Sequence, residues 1–506
     1  MSEQAQNSPL SIDDVTLIDD SKLKKAVTAA ALGNAMEWFD FGVYGFVAYA
    51  VGQVFFPDVS PAVQTVAALA TFSVPFLIRP LGGVFFGAMG DRFGRQKVLS
   101  LTIVIMAAST FCIGLIPSYA TIGIWAPILL LLCKLAQGFS VGGEYTGAAI
   151  FVAEYAPDRK RGFLASWLDF GSIAGFVLGA GFVVLLSTAV GEESFLSWGW
   201  RIPFFFAAPL GLIGLYLRHA AEETPAFAER LAQAEQEDKQ SLQERPMVPI
   251  AEIAREHFRS LAICIGMVLV TNITYYMLLT YMPTYLSKTL GYSEDHGVLI
   301  IIAVMVGMLF VQPVVGLMSD KIGRKPFLAF GSTVILVLSL PAFHFIASGN
   351  SVMIFFGLLI LAIALNCLIG IMAATLPALF PARIRYSALA ISFNISIIVA
   401  GLTPTITAYL VELTGNIYVP AFYLMIASLF GLATTLFLRE TANRPLYGDT
   451  PNASSRKEAR SLVAQHHDYI EKNVEEIDEE LAKLEEQKKA LLEKREELVG
   501  QHPRLT

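Results

Sequence analysis

Twelve stretches of predominantly apolar sequence, each long enough to cross a bilayer at about 20 residues per crossing, dominate the chain. They lie near 25–51, 63–89, 97–117, 123–154, 162–187, 201–218, 259–287, 296–318, 326–347, 352–378, 386–411 and 419–438. Few folds are open to such a chain. In lipid every backbone N–H and C=O must be paired internally, so the runs are expected to be helices, and strands are not needed anywhere. Only 16% of the 506 residues are charged and the mean hydropathy is +0.57, whereas about a quarter of a soluble domain is charged. The reading is an all-α integral membrane protein.

The charges are concentrated outside the spans, at 219–259 and 440–506, so the net charge of −7 describes the soluble pieces and implies no nucleic acid. The acidic first 21 residues lack the basic start and early apolar core of a cleavable signal. All four cysteines (Cys112, Cys133, Cys264 and Cys367) lie inside apolar runs, without metal or disulfide spacing, and read as packed thiols.

The chain is doubled. Gly87-Ala-Met-Gly-Asp91-Arg92-Phe93-Gly94-Arg95 recurs 229 positions later as Gly316-Leu-Met-Ser-Asp320-Lys321-Ile322-Gly323-Arg324. Pro157-Asp-Arg-Lys-Arg161 recurs 224 positions later as Pro381-Ala-Arg-Ile-Arg385. Two motifs at nearly one period indicate two six-helix halves. The expected divisions are an N-terminal segment 1–24, a first half 25–218, a connector 219–258, a second half 259–439, a linker 440–455 (Pro445, Gly448, Pro451, Asn452) and a tail helix 456–499. Arginines and lysines crowd the loops after the second, fourth, eighth and tenth spans, and the opposite loops are poor in them. The positive-inside rule then makes both termini cytoplasmic.

These motifs carry a resemblance. The paired Gly-x-x-x-Asp-x-x-Gly-Arg loops resemble the signature of the major facilitator superfamily. Asn34-Ala-Met-Glu37-Trp38-Phe-Asp40-Phe-Gly-Val-Tyr44 and Gln137-Gly-Phe-Ser-Val-Gly-Gly-Glu144 resemble its metabolite:proton symporter branch, and the acidic coiled-coil tail resembles the branch's osmosensing members. The resemblance covers residues 14–445 and the tail. It implies a transporter of zwitterionic osmolytes such as proline and glycine betaine, proton-coupled, in a bacterial inner membrane. It also implies an inner-gate role for Asp91, Arg95, Asp320 and Arg324, to which Glu154 and Arg161 are added. Ala378 stands where Glu154 has its counterpart, so a carboxylate–arginine relay from Glu154 to Arg95 is expected in the first half alone, with the stronger gate there. The bland alternative is a basic loop that only sets topology.

Ionisable groups inside spans are costly, at about 2.5–3.5 kcal/mol each on insertion scales, and tend to face a cavity. Glu37, Asp40, Arg79, Lys134, Glu144 and Asp169 are such groups, and all fall in the first half. Glu37, Asp40, Glu144 and Asp169 are the candidate proton carriers, the proton being the coupling ion; no other cofactor or metal is expected. The structural alternative is a permanent pair, Glu37 with Arg79 for instance. A zwitterion needs aromatic faces for its cation and a donor for its carboxylate. The candidate substrate residues are Trp38, Phe41, Tyr44, Arg79, Asn272, Tyr275, Tyr276, Asn366 and Asn394, against the alternative that span aromatics mostly pack.

In the tail, Val463, Ile470, Ile477, Leu484, Leu491 and Leu498 recur every seven residues, with Val474, Leu481, Lys488 and Arg495 at the other core positions. Residues 468–486 hold nine acidic and two basic side chains, and 487–498 hold four basic and three acidic. An antiparallel homodimer would set the basic end against the acidic one; a solvated single helix is the alternative. Salt screens such pairing.

Three functions compete: a proton symporter for zwitterionic osmolytes, the same fold carrying an organic acid, and a non-transporting sensor. Both gate loops are intact and the spans carry several carboxylates, which favours transport. No nucleophile–base set, metal cluster or phosphate loop points to an enzyme.

Overall fold

The structure, a computed structural model, describes residues 10–59, 61–93, 95–219, 252, 255–292 and 294–465. Helices occupy every predicted span. The first half contains α1 (Asp20–Phe55), α2 (Pro61–Phe93), α3 (Arg95–Leu115), α4 (Trp125–Val141), α5 (Glu144–Tyr155), α6 (Arg161–Val190) and α7 (Ala207–His219). The second contains α8 (Phe258–Tyr275), α9 (Glu294–Ile322), α10 (Lys325–Ile346), α11 (Ser351–Thr375), α12 (Arg385–Gly401), α13 (Thr403–Thr414) and α14 (Val419–Phe437). Two predicted spans are interrupted: α4 and α5 meet at Gly142–Gly143, and α12 and α13 meet at Leu402. The chain after α8 continues through π-helical turns at Tyr276–Tyr281 and Tyr285–Thr289. Among the described residues nine helices are long and apolar enough to cross a membrane.

Local chemistry sets several ends. The Asp19 carboxylate accepts from the N–H groups of Ser21 and Lys22 and starts α1. Asn350 does the same for Val352 and Met353 at α11. Gly323, the second glycine of the repeated loop, ends α9 at φ +105°, a conformation that a side chain would oppose.

Small residues let helices touch. A Cβ on Gly171, Gly175 or Gly179 would meet the backbone carbonyls of Ala31, Ala35 and Phe39, so this four-residue stripe seats α6 on α1. The halves meet in the same way. A Cβ on Gly162 would meet Gly316, and one on Gly316 would meet Ser166, so α6 and α9 cross at backbone distance. Nearer the opposite end, Ser73 Oγ donates to the Gly401 carbonyl at 2.9 Å and lies 2.9 Å from Thr405 Oγ1, joining α2 to α12 and α13.

Two expectations change. Residues 440–449 are not a free spacer. Glu440, Asn443 and Tyr447 hydrogen-bond to the loops at the basic end of the bundle. Strands also occur. Thr16–Leu17 (β1) pairs in parallel with Asn452–Ala453 (β2) in a separate compact unit of residues 1–17 and 450–506. The pairing lies outside the spans, so the bilayer argument against strands did not reach it. In that unit the tail turns helical at 456, as the sequence predicts. Glu458 N–H donates to Ser455 Oγ, an N-cap, and the Glu458 carboxylate accepts from Ser454 N–H. Ile470, Val474, Ile477, Leu481, Leu484, Lys488, Leu491, Arg495 and Leu498 lie outside the described residues.

Candidate functional site

Four of the six charged residues in the first-half spans are gathered in the bundle interior as two pairs. Glu37 on α1 meets Arg79 on α2 at 3.3 Å, and both are buried. One turn along α1, Asp40 accepts from the Gln137 amide and lies 3.9 Å from Lys134 Nζ. Lys134 donates to Gln137 Oε1 at 2.9 Å and sits 3.9 Å over the Tyr44 ring. Gln137 also donates to Thr110 on α3 at 2.9 Å. The sequence offered Glu37–Arg79 as a structural alternative, and that pair is present. Asp169 on α6 differs from both. It accepts from the Tyr145 hydroxyl at 3.1 Å and has no ion pair among the described residues. Asn34 donates to Leu168 O and Ser172 Oγ, fixing α1 against α6 beside it.

Aromatic rings surround the Glu37–Arg79 pair. Trp38 lies 4.5 Å from Tyr275, 5.3 Å from Phe41 and 6.2 Å from Tyr276, centroid to centroid. Phe76 stacks on Phe41 at 5.6 Å and meets Tyr276 at 5.1 Å. Arg79 lies 5.8 Å from the Phe76 centroid. The cluster thus joins α1 and α2 of one half to α8 of the other. Several of its donors are buried without a hydrogen-bond partner: the Trp38 indole N–H, the Tyr275 and Tyr276 hydroxyls, and Nε and Nη1 of Arg79. Buried polar groups are nearly always paired, so such a concentration makes this cluster the candidate ligand site.

Of the nine candidate substrate residues, Trp38, Phe41, Arg79, Tyr275 and Tyr276 come together here. Tyr44 stands under Lys134, and its hydroxyl donates to Ala68 O at 3.3 Å. The three asparagines use their amides elsewhere. Asn272 donates to Val268 O at 3.1 Å, Asn366 to Met308 O at 3.4 Å, and Asn394 to Gly142 O at 2.7 Å. Glu144 is buried at the first position of α5, where the positive end of a helix favours an acid.

The second copy of the repeated loop closes the basic end. Both Asp320 oxygens accept backbone N–H groups at the start of α6, from Gly162 at 2.7 Å and Phe163 at 2.8 Å. This is an anion at a helix N-terminus, reaching across the halves. Arg324 donates to Ala374 O and Thr441 Oγ1, each at 2.9 Å, and lies 3.9 Å from Asp320. Burial, and next the nearby Arg161 guanidinium, push Arg324 down to about 10. Glu440 accepts the N–H groups of Arg324, Lys325, Thr441 and Ala442. Burial alone would raise this carboxyl, but those four donors together hold it below its ordinary value. Arg161 pairs with Asp158 and donates to Arg444 O at 2.7 Å. The side chains of Asp91 and Arg95 lie outside the described residues.

Glu154 has an arginine partner from the second half, while the expected one, Arg95, has its side chain outside the described residues. Arg385, from the second half, meets it at 3.0 Å and also holds Asp449 at 2.7 Å and the Tyr447 carbonyl at 2.9 Å. The second loop has a carboxylate of its own, bound to backbone N–H groups. Ala378 is indeed no substitute for Glu154, but Glu440 arrives from beyond α14 to serve the second loop. Arg385 was legible as the repeat mate of Arg161. Glu440 and Tyr145 carried no such signal.

The sequence and the fold were compared with known proteins. Residues 26–450 match the profile of the "Sugar (and other) transporter" family, and 454–506 that of the "Osmosensory transporter coiled coil". A proline/betaine transporter of Salmonella typhimurium is 65% identical over 505 residues, covering 100% of both chains. The glycine betaine/proline/ectoine/pipecolic acid transporter OusA of Dickeya dadantii is 66% identical over 98% of each. An ectoine/proline transporter of Corynebacterium glutamicum is 40% identical over 91% of this chain and 93% of its own. Among solved structures, the proton:xylose symporter XylE bound to a bromodeoxyglucose superposes with a TM-score of 0.68 at 20% identity, over 84% of this chain and 98% of that one. That likeness supports the fold, and the end-to-end relatives and the profile over 26–450 go further: this chain is a multi-pass membrane transporter belonging to the sugar (and other) transporter family within the major facilitator superfamily.

Proposed function

We propose that the protein imports zwitterionic osmolytes, proline and glycine betaine among them, together with protons by alternating access. The observation that carries this reading is the set of unpartnered donors at Trp38, Arg79, Tyr275 and Tyr276 inside a cluster of aromatic faces. A betaine carboxylate accepts from such donors. Its quaternary ammonium, which accepts no directed hydrogen bond, lies against the rings. The relatives' names agree with this chemistry.

Charge balance favours a net-neutral substrate over an organic acid. Both cations placed in the first-half spans, Arg79 and Lys134, already face carboxylates. An anion would enter with no positive charge to meet it. Protonating Glu37 or Asp40 would strand a buried cation, which is costly. Among the described residues Asp169 meets the Tyr145 hydroxyl and no cation, so its proton occupancy can change without that penalty. Asp169 is accordingly assigned the proton, with Glu37–Arg79 and Asp40–Lys134 as fixed pairs. One proton crossing ~150 mV is worth roughly 3–4 kcal/mol, which supports accumulation of a few hundredfold.

The basic end faces the cytoplasm of a bacterial inner membrane on this reading, with both termini there. The tail pairs antiparallel with that of a second copy, and salt screening of the pair contributes to activation at high osmolality.

Protein reconstituted in liposomes, given a proton gradient and rising osmolality, should take up labelled proline and betaine but not a dicarboxylate. Asp169→Asn should abolish uphill uptake while leaving counterflow exchange within about threefold. Dicarboxylate uptake, or no zwitterion uptake at any osmolality, would sink the assignment. Equal loss of both modes in Asp169→Asn would remove Asp169 from the proton path.

A further inference from the structure

The interruption of the fourth span is held from three sides. Its consecutive carbonyls at Val141, Gly142 and Gly143 each face a side-chain donor from another helix. Arg79 Nη2 on α2 lies 3.5 Å from Val141 O. Asn394 Nδ2 on α12 donates to Gly142 O at 2.7 Å, and the Tyr386 hydroxyl on α12 donates to Gly143 O at 2.9 Å. Two of the three donors come from the second half, and all but the tyrosine hydroxyl are charged or amide groups buried at 2% exposure or less.

Space has been left for this arrangement. A Cβ on Gly142 would meet the Arg79 carbonyl and the Gly83 nitrogen, and one on Gly143 would meet the Tyr386 hydroxyl at 2.8 Å. A Cβ on Gly83 would meet Asn394 Nδ2 at 2.5 Å and the Gly142 carbonyl at 3.0 Å. α2, the turn and α12 therefore converge at one point, where neither α2 at Gly83 nor the turn tolerates an added side chain.

The turn lies between Arg79 of the aromatic cluster and the buried Glu144. Arg79, which reaches its first carbonyl, is the partner of Glu37 and a member of the aromatic cluster. Glu144 follows its last glycine directly. We propose that Asn394 and Tyr386 are positioning residues: through their bonds to Gly142 and Gly143, the second half sets the shape of this turn, and with it the placement of Arg79 and Glu144. This rests on the proposed alternating-access transport. It also reassigns Asn394, whose amide the sequence had offered to the substrate.

The physical link is direct. In alternating access one half rocks against the other. Parting α12 from α4–α5 takes the Asn394 amide off the buried Gly142 carbonyl, which must then find another partner or rearrange, while the Gly143 carbonyl loses the Tyr386 hydroxyl and keeps the Gly147 N–H at 3.0 Å and the Thr146 hydroxyl at 3.2 Å. The turn thus has one shape when the halves are closed there and another when they are apart. Residues that only lined the substrate would produce no such dependence.

The test uses the full-length protein in liposomes and compares the initial rate of uphill uptake with counterflow. Gly83→Ala, which pushes on the Asn394 amide from the opposite side, and Asn394→Ala should each lower the uphill rate about tenfold, one lost buried hydrogen bond at 1.4 kcal/mol per tenfold, and Tyr386→Phe, which removes one of three donors to its carbonyl, should lower it less. Counterflow KM should change alike in all three variants, because they act through the same turn. An unchanged uphill rate in Tyr386→Phe and Gly83→Ala overturns the proposal. So does a counterflow KM raised more than about fivefold in Asn394→Ala alone, which would identify a substrate ligand. Wild-type protein that exchanges substrate but never accumulates it overturns the transport reading itself, a different result from variants that fail where the wild type succeeds.

Discussion

Replacing Arg385 by alanine removes the most heavily used cation at the basic end. Its guanidinium is fully buried and makes four bonds: to Glu154 at 3.0 Å, Asp449 at 2.7 Å, the Tyr447 carbonyl at 2.9 Å and the Phe380 carbonyl at 3.3 Å. The Glu154 pair joins the two halves, whereas the others stay within the second. Breaking a buried pair by deleting one partner costs about 3–5 kcal/mol. The Asp449 side chain is 19% exposed, so water recovers part of its share, and the lower figure of ~3 kcal/mol is the better estimate for the closed arrangement. At about 1.4 kcal/mol per tenfold, this shifts the balance away from closure by on the order of a hundredfold. The reporter is Ser166→Cys, in a chain with Cys112, Cys133, Cys264 and Cys367 replaced. Ser166 is 1% exposed and lies where α6 crosses Gly316, so a thiol there is sealed while the end is closed. Its alkylation rate by a membrane-impermeant reagent, applied from the basic-loop side, follows the open population. Arg385→Ala should raise that rate by roughly a hundredfold. A change of less than about threefold, in a variant that still binds substrate, would show that the Glu154–Arg385 pair does not hold the halves together.

Glu440 supports the same end by accepting four N–H groups. A carboxylate held below its ordinary 4.5 stabilises the fold fully above that pH and loses its contribution as pH falls through the lower, folded-state value. The difference in melting temperature between wild type and Glu440→Gln, measured in detergent, should therefore be constant from pH 7 to 5 and shrink below about 4.5; a difference independent of pH would refute the capping role. Gly175→Val places a branched side chain against the Ala35 backbone, where α6 touches α1. Overpacking of this kind costs about 1–3 kcal/mol, to be seen as lowered thermal stability, while Gly181→Ala, with nothing near its added Cβ, should stay within about 0.5 kcal/mol of wild type.

Much of this was legible in the sequence because lipid restricts the options. Apolar runs in a bilayer must be helical, so all spans were placed and the doubled loops gave the halves. The buried charges were legible too, since so few ionisable residues occur inside spans. Their pairing was less so. Glu37 with Arg79 could be guessed as one alternative, but Asp40 with Lys134 depends on how α1 and α4 are rotated, which spacing does not specify. The asparagines are a related case: a polar side chain in an apolar span signals a buried bond, and it does not say whether the partner is a ligand or a carbonyl. Asn394 bonds a carbonyl of the other half. The stretch 440–449 was missed because its prolines and glycine read as a spacer. Its role comes from backbone groups, namely the carbonyls of Arg444 and Tyr447 and the N–H groups at Glu440, and sequence composition does not report those.

The closed end of the bundle is held in large part by helix ends. Asp320 sits on the first N–H groups of α6, and Glu440 on those of α10. A carboxylate on a helix N-terminus meets donors that are already fixed and already lack intrahelical partners. Such a bond demands little reorganisation to make, and when it breaks it leaves N–H groups that water can satisfy if the end opens to solvent. A buried arginine–carboxylate pair behaves otherwise, because parting it strands two full charges. The two kinds of contact therefore suit different tasks: helix-end caps for a joint that opens in every cycle, and ion pairs for elements that hold their geometry through it. Glu37–Arg79 and Asp40–Lys134, both within the first half, belong to the second kind. Glu154–Arg385 is the exception, since it spans the halves. It is the contact whose rupture demands the most energy, and so the one on which closure of this end depends most steeply.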